Sequence, residues 1–197
     1  LHKEYRRQRQ MCIRDSVYRD RTDEEIRDIY ATRLLDGVWT EGVSVHHDGW
    51  EIGGCPVNGP AVAIAGDQLA VAWFTGSEDV PRVKLALANA DGLNFEEPGQ
   101  LDDGNPAGRV DVLGLSNGDF LVSWLERTGG EAAEVRMRRV RSDGAISESV
   151  TLTSSSSARA SGFPRLAQNP DGSLVMAWTD VSSSPAQVRI TRVHLED

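Results

Sequence analysis

Three acidic side chains occupy equivalent places in the sequence, each two residues after an aromatic residue that ends an apolar run. They are Asp20, Glu126 and Asp180, and Thr75 occupies the same place in the remaining copy. A carboxyl group can act as a proton donor or as a general base. The recurrence therefore makes these three carboxylates candidate catalytic groups.

A second set of polar residues lies where the hairpin of a unit begins in the sequence. These residues stand at the start of the apolar run that precedes the acid-bearing run, or directly before it. The set is Asn58, Arg109, Asp111 and Arg165. A guanidinium group holds a carboxylate through two parallel hydrogen bonds, so arginines beside acids would suit an anionic sugar. Asp111 is thus a fourth candidate catalytic acid, and Asn58, Arg109 and Arg165 are candidate substrate-binding residues. The alternative is structural, because both arginines could form ion pairs between neighbouring sheets with Asp111 or with the acids named above.

These equivalences come from a repeated unit of about fifty residues. Trp73, Trp124 and Trp178 follow one another at intervals of 51 and 54 residues, and each ends an alternating apolar run that comes after a turn signal. A third strand is expected to start ten or eleven residues after each tryptophan, and a more polar fourth strand is expected at 94–101 and 146–152. Four short antiparallel strands per unit predict an all-β fold built from the blades of a β-propeller.

The repeat divides the chain into a partial blade at 17–45, complete blades at 59–101 and 108–152, and a partial blade at 162–197. Tyr18 takes the place of the tryptophan in the first of these. Residues 23–30 have some helical periodicity, but the register of the repeat favours a loop followed by a strand. Each blade needs neighbours to bury its faces, so we expect a fragment of about three to three and a half blades. The missing blades of the same protein would be its partners.

Residues 1–16 differ from the remainder in composition. They carry five of the 21 Lys and Arg residues and only two of the 30 Asp and Glu residues, in a chain whose formal net charge is −9. The sequence Met-Cys-Ile-Arg-Asp-Ser at 11–16 looks like the translation of a sequencing-library adapter. We therefore treat 1–16 as a non-native or disordered tail and leave it out of the fold.

Composition excludes several classes of function. No apolar run is long enough to span a membrane, and an acidic chain without a basic stripe is a poor ligand for nucleic acid. Cys12 lies in the tail, which leaves Cys55 without a partner for an internal disulfide. The sequence has no cluster of His and Cys with metal-ligand spacing and no glycine-rich loop ahead of a helix. We therefore expect no metal and no cofactor.

The turn Ala88-Asn-Ala-Asp-Gly-Leu-Asn-Phe95 resembles the Asp box of the sialidase-like bacterial β-propellers, also called the BNR repeat. That box reads Ser-x-Asp-x-Gly-x-Thr-Trp and lies between the third and fourth strands of a blade. Gly92 and Phe95 match it, whereas alanines replace its Ser and Asp, and Asn94 replaces its Thr. The resemblance extends from Val17 to the end of the chain and implies the propeller fold.

The same resemblance implies an exo-glycosidase that acts on anionic glycans. Enzymes of this family hold the substrate carboxylate with three arginines, and they use a tyrosine nucleophile with a glutamate partner and an aspartate acid/base. Tyrosines occur here only at positions 5, 18 and 30, and Tyr18 stands where the other units carry tryptophan. No nucleophile is therefore identified among them.

A non-catalytic propeller is the alternative, with carbohydrate or protein bound on the same funnel-shaped face. Trp50 lies in a loop that crosses this face, and it is the candidate for stacking on a sugar ring. Family resemblance favours secretion or the periplasm in either case.

Overall fold

A computed structural model describes residues 15–90 and 92–195, and in this part of the chain the fold is all-β. The strands form four antiparallel sheets that succeed one another along the chain, which confirms the predicted fold class. Sheet 1 consists of β1 (Asp15–Arg19), β2 (Ile29–Leu35), β3 (Val38–Trp39) and β4 (Val43–His46), with β2 paired to the other three.

The next three sheets are simple meanders in which consecutive strands pair. Sheet 2 consists of β5 (Ala61–Ala65), β6 (Gln68–Thr75), β7 (Arg82–Asn89) and β8 (Gly99–Gln100). Sheet 3 consists of β9 (Pro106–Gly114), β10 (Phe120–Gly129), β11 (Ala132–Val140) and β12 (Val150–Ser156). Sheet 4 consists of β13 (Arg165–Gln168), β14 (Leu174–Asp180) and β15 (Gln187–Val193). Two 3-10 turns, Ser77–Asp79 and Arg159–Ser161, lie in the loops.

The stretch with weak helical periodicity, residues 23–30, contains no helix. It forms a turn and an isolated bridge between Ile26 and Glu51, and β2 then begins at Ile29. The expectation of a loop followed by a strand is confirmed. None of the helical segments in the two described ranges has the length and apolar character needed to cross a membrane.

The outer strands of sheets 2 and 3 differ from the expected ranges 94–101 and 146–152. Phe95 and Ile146 each make a single isolated bridge to the third strand, and regular pairing resumes only at β8 and β12. In sheet 2 the ladder is interrupted at Pro98, which has no N–H group to donate. In sheet 3 the Ser147 hydroxyl accepts the Arg139 N–H at 2.9 Å and so occupies a donor of the ladder.

The core lies between successive sheets rather than inside any one of them. Trp73 of β6 packs with Ile29, Ala31 and Val45 of sheet 1 and is fully buried. Trp124 of β10 is buried in the same way against sheet 2. In sheet 4 the equivalent Trp178 packs on sheet 3 but stays half-buried.

The free face of sheet 4 carries the same apolar pattern as the faces that are covered. Val188 and Ile190 of β15 are 73% and 70% exposed, whereas Val135 and Met137, at the same places on β11, are 0% and 2% exposed beneath sheet 4. The strand sequence is thus adapted to burial in both sheets. A face of either sheet is therefore buried only where a neighbouring sheet covers it.

This difference predicts the effects of one substitution at two equivalent places. Val135→Ala should lower the free energy of unfolding by about 1.5–3 kcal/mol, because it removes two methyl groups from a packed interface. Val188→Ala should lower it by less than about 0.5 kcal/mol, because its methyl groups are already in water. Urea unfolding of both variants measures the contrast. Equal losses would show that the free face of sheet 4 is covered in solution.

Candidate functional site

The predicted site residues lie along one edge of the sheets, where β1, β6, β10 and β14 end and β5, β9 and β13 begin. We call this the mouth edge. Strand register places Glu126 opposite Pro106 and Arg165 opposite Ala177 at this edge. Hydrogen bonds across the sheets connect its parts, because Asn58, which precedes β5, contacts both sheet 1 and sheet 3. The strand register therefore places these residues at the same end of the sheets.

Asn58 bridges two sheets with its side-chain amide. Its Oδ1 accepts the Arg109 N–H at 3.0 Å, and its Nδ2 donates to the Ala107 carbonyl at 3.1 Å. Between them lies Gly108, with φ +81°, where a Cβ atom would come within 2.6 Å of the Asn58 amide. Asn58 thus holds an irregular start of β9, and both of its polar atoms are engaged in doing so.

Arg109 is buried and binds the segment that links sheet 3 to sheet 4. Its guanidinium donates to the carbonyls of Ser157 at 3.0 Å and Ala158 at 2.7 Å, and to the hydroxyl of Ser161. Burial lowers the pKa of Arg109, and the positive charge of Arg127 lowers it further. The acceptors of this arginine are carbonyl and hydroxyl oxygens. Within residues 15–90 and 92–195, Arg109 does not form the expected pair with a carboxylate.

Asp111 and Arg165 form the ion pair that the structural alternative expected between sheets. Arg165 NH1 lies 2.5 Å from Asp111 Oδ1, and the Leu166 backbone N–H donates to Oδ2 at 2.7 Å. The Asp111 side chain is 8% exposed and the Arg165 side chain 64% exposed. Asp111 thus uses both oxygens to hold sheet 4 on sheet 3, while most of the Arg165 side chain faces solvent.

Glu126 is a buried acceptor for three N–H groups. Its Oε2 accepts from the Trp124 indole at 2.6 Å and from the Asp103 backbone at 3.3 Å, and its Oε1 accepts from the Asn105 backbone at 2.6 Å. Asp103 and Asn105 belong to the segment that links sheet 2 to sheet 3. The carboxylate therefore fixes that segment to the tryptophan of the following sheet.

Asp180, the equivalent acid of sheet 4, has other partners. Its Oδ1 accepts the N–H and the hydroxyl of Ser182 at 2.9 and 2.6 Å, and Arg189 Nε lies 3.2 Å from its Oδ2. The hydrogen bonds from Ser182, and then Arg189, lower the pKa of Asp180. By strand alternation Asp180 projects from the opposite face of sheet 4 to Arg165.

Asp20 and Thr75, at the same place in sheets 1 and 2, do not join the other candidates. The Thr75 hydroxyl is buried and accepts the Ser77 N–H at 3.3 Å. The Asp20 carboxylate is partly exposed and has no hydrogen bond within the described part of the chain. Burial, followed by the charge of Asp20, raises the pKa of Tyr18. The candidate carboxylates therefore have separate partners and do not face one another as a pair.

Trp50 is packed within the mouth edge. Its ring meets that of Phe74 edge-on with a centroid distance of 5.7 Å, and the Arg19 guanidinium lies 4.9 Å from its ring centroid. A Cβ atom at Gly76 would lie 3.1 Å from the indole. One face of the ring is therefore taken by a cation–π contact, which leaves little of it for stacking on a sugar.

Arg19 is the residue of this region that the sequence analysis missed. Its guanidinium donates to the carbonyls of Arg27 and Phe74, each at 2.6 Å, and of Asn58 at 3.1 Å. Burial lowers its pKa to about 10. The sequence does mark this residue as unusual. Arg19 directly follows the aromatic Tyr18, whereas the next two units have the apolar Phe74 and Leu125 at this place. Arg19 joins sheet 1 to sheet 2 as Arg109 joins sheet 3 to the segment after it.

The junctions between sheets 1 and 2 and between sheets 2 and 3 are closed by an acid from the linking segment. Asp48 accepts the Trp73 indole N–H at 2.6 Å and pairs with Lys84, the cross-strand neighbour of Trp73, at 2.6 Å. At the next junction Asp103 pairs with Arg136, the cross-strand neighbour of Trp124, at 2.6 Å.

The junction between sheets 3 and 4 lacks this acid and is open. The end of β12 carries serines at 154–156, the segment that follows it, 157–164, has no acid, and Arg189, the cross-strand neighbour of Trp178, turns to Asp180. The Trp178 indole N–H has no hydrogen-bond partner among residues 15–90 and 92–195. A cavity of about 660 Å³ lies beside it. It is lined in part by Glu131, Ser154, Ser155, Trp178, Thr179 and Asp180.

No group of three or more His, Cys, Asp or Glu side chains in the described ranges is arranged to hold a metal ion. Cys55 is exposed and unpaired.

Comparison with known proteins is informative for the fold alone. No protein-family model matches the chain, and no curated protein matches it. A protein of unknown function from Dyadobacter fermentans DSM 18053 is similar in structure, with a TM-score of 0.58 and 13% identity over 84% of this chain and 48% of that one. The chain therefore spans about half the length of this neighbour. An endo-arabinase from Bacteroides thetaiotaomicron VPI-5482 aligns with a TM-score of 0.46 and 14% identity, over 93% of this chain and 75% of that one.

The partners of Glu126 predict a structural effect of its removal. Glu126→Ala leaves the N–H groups of Trp124, Asp103 and Asn105 without their acceptor and should lower the free energy of unfolding by about 3 kcal/mol. Asp180→Ala, at the same place in sheet 4, should have a smaller effect, because its partners Ser182 and Arg189 are exposed and can bond to water instead. Chemical denaturation measures both. A fully stable Glu126→Ala protein would contradict the structural role.

Asp103 predicts a pH dependence. Burial raises its pKa, but hydrogen bonds from Arg136 and Ser149 and the charge of Arg138 outweigh burial and hold the pKa below its ordinary value. Its contribution to stability is therefore present above about pH 4 and is lost as the pH falls through the lowered pKa. Asp103→Asn should be less stable at pH 7 and should lose less stability between pH 4 and pH 2. Urea midpoints across this range test it, with the exposed Asp67→Asn as control. Parallel acid curves for wild type and Asp103→Asn would refute it.

Proposed function

We propose that this chain is part of a carbohydrate-binding, sialidase-like propeller that recognises anionic glycans at the mouth edge and does not hydrolyse them. One observation carries the non-catalytic part. The carboxylates of Asp111 and Glu126 each accept hydrogen bonds on both oxygens from groups that hold the sheets together. An acid/base pair has to exchange protons with a substrate, and acids engaged in this way are poorly placed to do so.

Tyr18 is also a poor nucleophile. Burial and the neighbouring Asp20 raise its pKa, whereas a catalytic phenol needs a partner that helps it to lose its proton. Its ring packs beside that of Tyr30, with 6.1 Å between the centroids. These features favour binding over the exo-glycosidase activity that the family resemblance implies.

Arg165 supports recognition of an anion. Among the described residues only Asp111 engages the guanidinium, at its Nη1, and the side chain is largely exposed at the mouth edge. The remaining N–H groups of its guanidinium are free to hold a carboxylate or a sulfate of a glycan. Asp111 fixes the guanidinium in place and so reduces the entropy that binding would cost. Assignment to the sialidase-like family is supported by Gly92 and Phe95 of the Asp-box-like turn.

Two measurements on the same preparation test the proposal. A fluorogenic sialoside should give no turnover above the rate without protein, and sialyllactose should bind with a Kd of about 1 mM, a typical value for a single small sugar site. Arg165→Ala should weaken sialyllactose binding at least about tenfold, because it removes the exposed charge. Arg141→Ala removes an exposed arginine from the opposite edge of sheet 3 and should leave binding unchanged.

If the protein hydrolyses the sialoside and Asp20→Asn abolishes this hydrolysis, the protein is an enzyme and the proposal of a non-catalytic binder is wrong. Sialyllactose binding that is equal in wild type and Arg165→Ala would remove the anionic-glycan part of the proposal.

A further inference from the structure

The cavity between sheets 3 and 4 lies at the same end of the sheets as the other mouth-edge residues, but beside β11 and β12, and its chemistry differs from that around Arg165. It lies where the other two junctions have a sealed tryptophan, and both of its walls belong to the described part of the chain. At the sealed junctions, Trp73 and Trp124 donate their indole N–H to a carboxylate and are fully buried. At the open one, Trp178 is half-buried and its N–H is unpaired within residues 15–90 and 92–195.

The linking segment is held by its own hydrogen bonds, and its Ala158 and Ala160 line the cavity together with Trp178. Arg109 draws the carbonyls of Ser157 and Ala158 toward β9. The Ser157 N–H donates to the Glu131 carbonyl at 2.8 Å, and the Ser161 hydroxyl donates to the Ser156 carbonyl at 2.5 Å. The walls of the cavity are therefore fixed before any ligand arrives. A volume of about 660 Å³ lies within the range of small-molecule sites in proteins.

The lining selects a particular kind of ligand. Trp178 supplies an aromatic surface and an N–H donor, Ser154, Ser155 and Thr179 supply hydroxyl groups, and Asp180 and Glu131 supply carboxylates. The lining contains no Lys or Arg, and Arg189 is occupied with Asp180. An anion would meet the carboxylates of Glu131 and Asp180 there, and Arg189 balances only the second of them. A neutral polyol with an apolar ring face suits such a surface, because aromatic rings pack on C–H faces while carboxylates accept hydroxyl protons.

We infer that this cavity is a second binding site, apart from Arg165, which takes an uncharged sugar as a mono- or disaccharide stacked on Trp178. Asp180 and Glu131 accept hydrogen bonds from its hydroxyl groups. Hydrogen bonds from Ser182 and the charge of Arg189 lower the pKa of Asp180, so this carboxylate stays ionised and remains an acceptor.

Calorimetric titration with neutral and charged sugars tests the inference. The probes are glucose, galactose, mannose, xylose, arabinose and cellobiose, together with glucuronate and sialic acid as the anions. At least one neutral sugar should bind with a Kd of about 1 mM or tighter, and glucuronate should not bind at this site. Trp178→Leu keeps an apolar side chain against sheet 3 and should weaken that binding at least about tenfold. Asp180→Asn should also weaken it, because the amide accepts hydroxyl protons less well.

Two further variants keep the test decisive. Trp39→Leu removes an exposed tryptophan from sheet 1 and should leave binding unchanged. Ser155→Glu places an acid near the end of β12, in the lining of the cavity, and should reduce sugar binding without unfolding the protein, as judged by circular dichroism. Arg165→Ala should not affect the neutral sugar, and Trp178→Leu should not affect sialyllactose, so this site and the Arg165 site can fail independently. Absence of binding for all neutral probes, or binding that survives Trp178→Leu in a folded protein, would overturn the inference.

Discussion

The structure depends on the burial of one aromatic side chain from each sheet against the sheet before it. A single antiparallel sheet of short strands has two apolar faces and cannot keep both dry, so each sheet is stable only between neighbours. A tryptophan fills that space well but brings an N–H group into the core, where an unpaired donor is costly. Trp73 and Trp124 meet this constraint with carboxylates from Asp48 and Glu126.

The same constraint explains why the mouth edge is rich in residues that resemble catalytic groups. Every passage from one sheet to the next crosses this edge, and the crossing backbone has N–H and C=O groups that no strand pairs. Asn58, Arg19, Arg109, Asp111 and Glu126 supply the missing partners. Acids, amides and arginines gathered at one edge are therefore what the assembly itself requires, and their gathering alone is weak evidence for catalysis.

The sheets could be predicted from the sequence because alternation and tryptophan spacing are local properties of each strand. The partners of the polar side chains could not, because they depend on where the linking segments run. Glu126 and Asp180 occupy the same place after a tryptophan, yet Glu126 reaches back to the indole while the shorter Asp180 bonds Ser182 two residues on. Arg19 was missed because its acceptors are backbone carbonyls, which no sequence pattern reveals. The late start of β8 follows from the missing N–H of Pro98.

The open junction shows how a cavity can form in a repeat without loss of the core. The apolar residues of sheets 3 and 4 pack as in the other junctions, and the difference lies in a linking segment, 157–164, that has no acid where the others place one near the cation. Arg189 pairs with Asp180 in its own sheet, and because Asp180 does not reach the indole as Glu126 does, the N–H of Trp178 is left for another acceptor. The strands provide the stability of the assembly, and the linking segments decide whether a junction is open. A change in one linking segment can therefore open a single junction while its neighbours stay sealed.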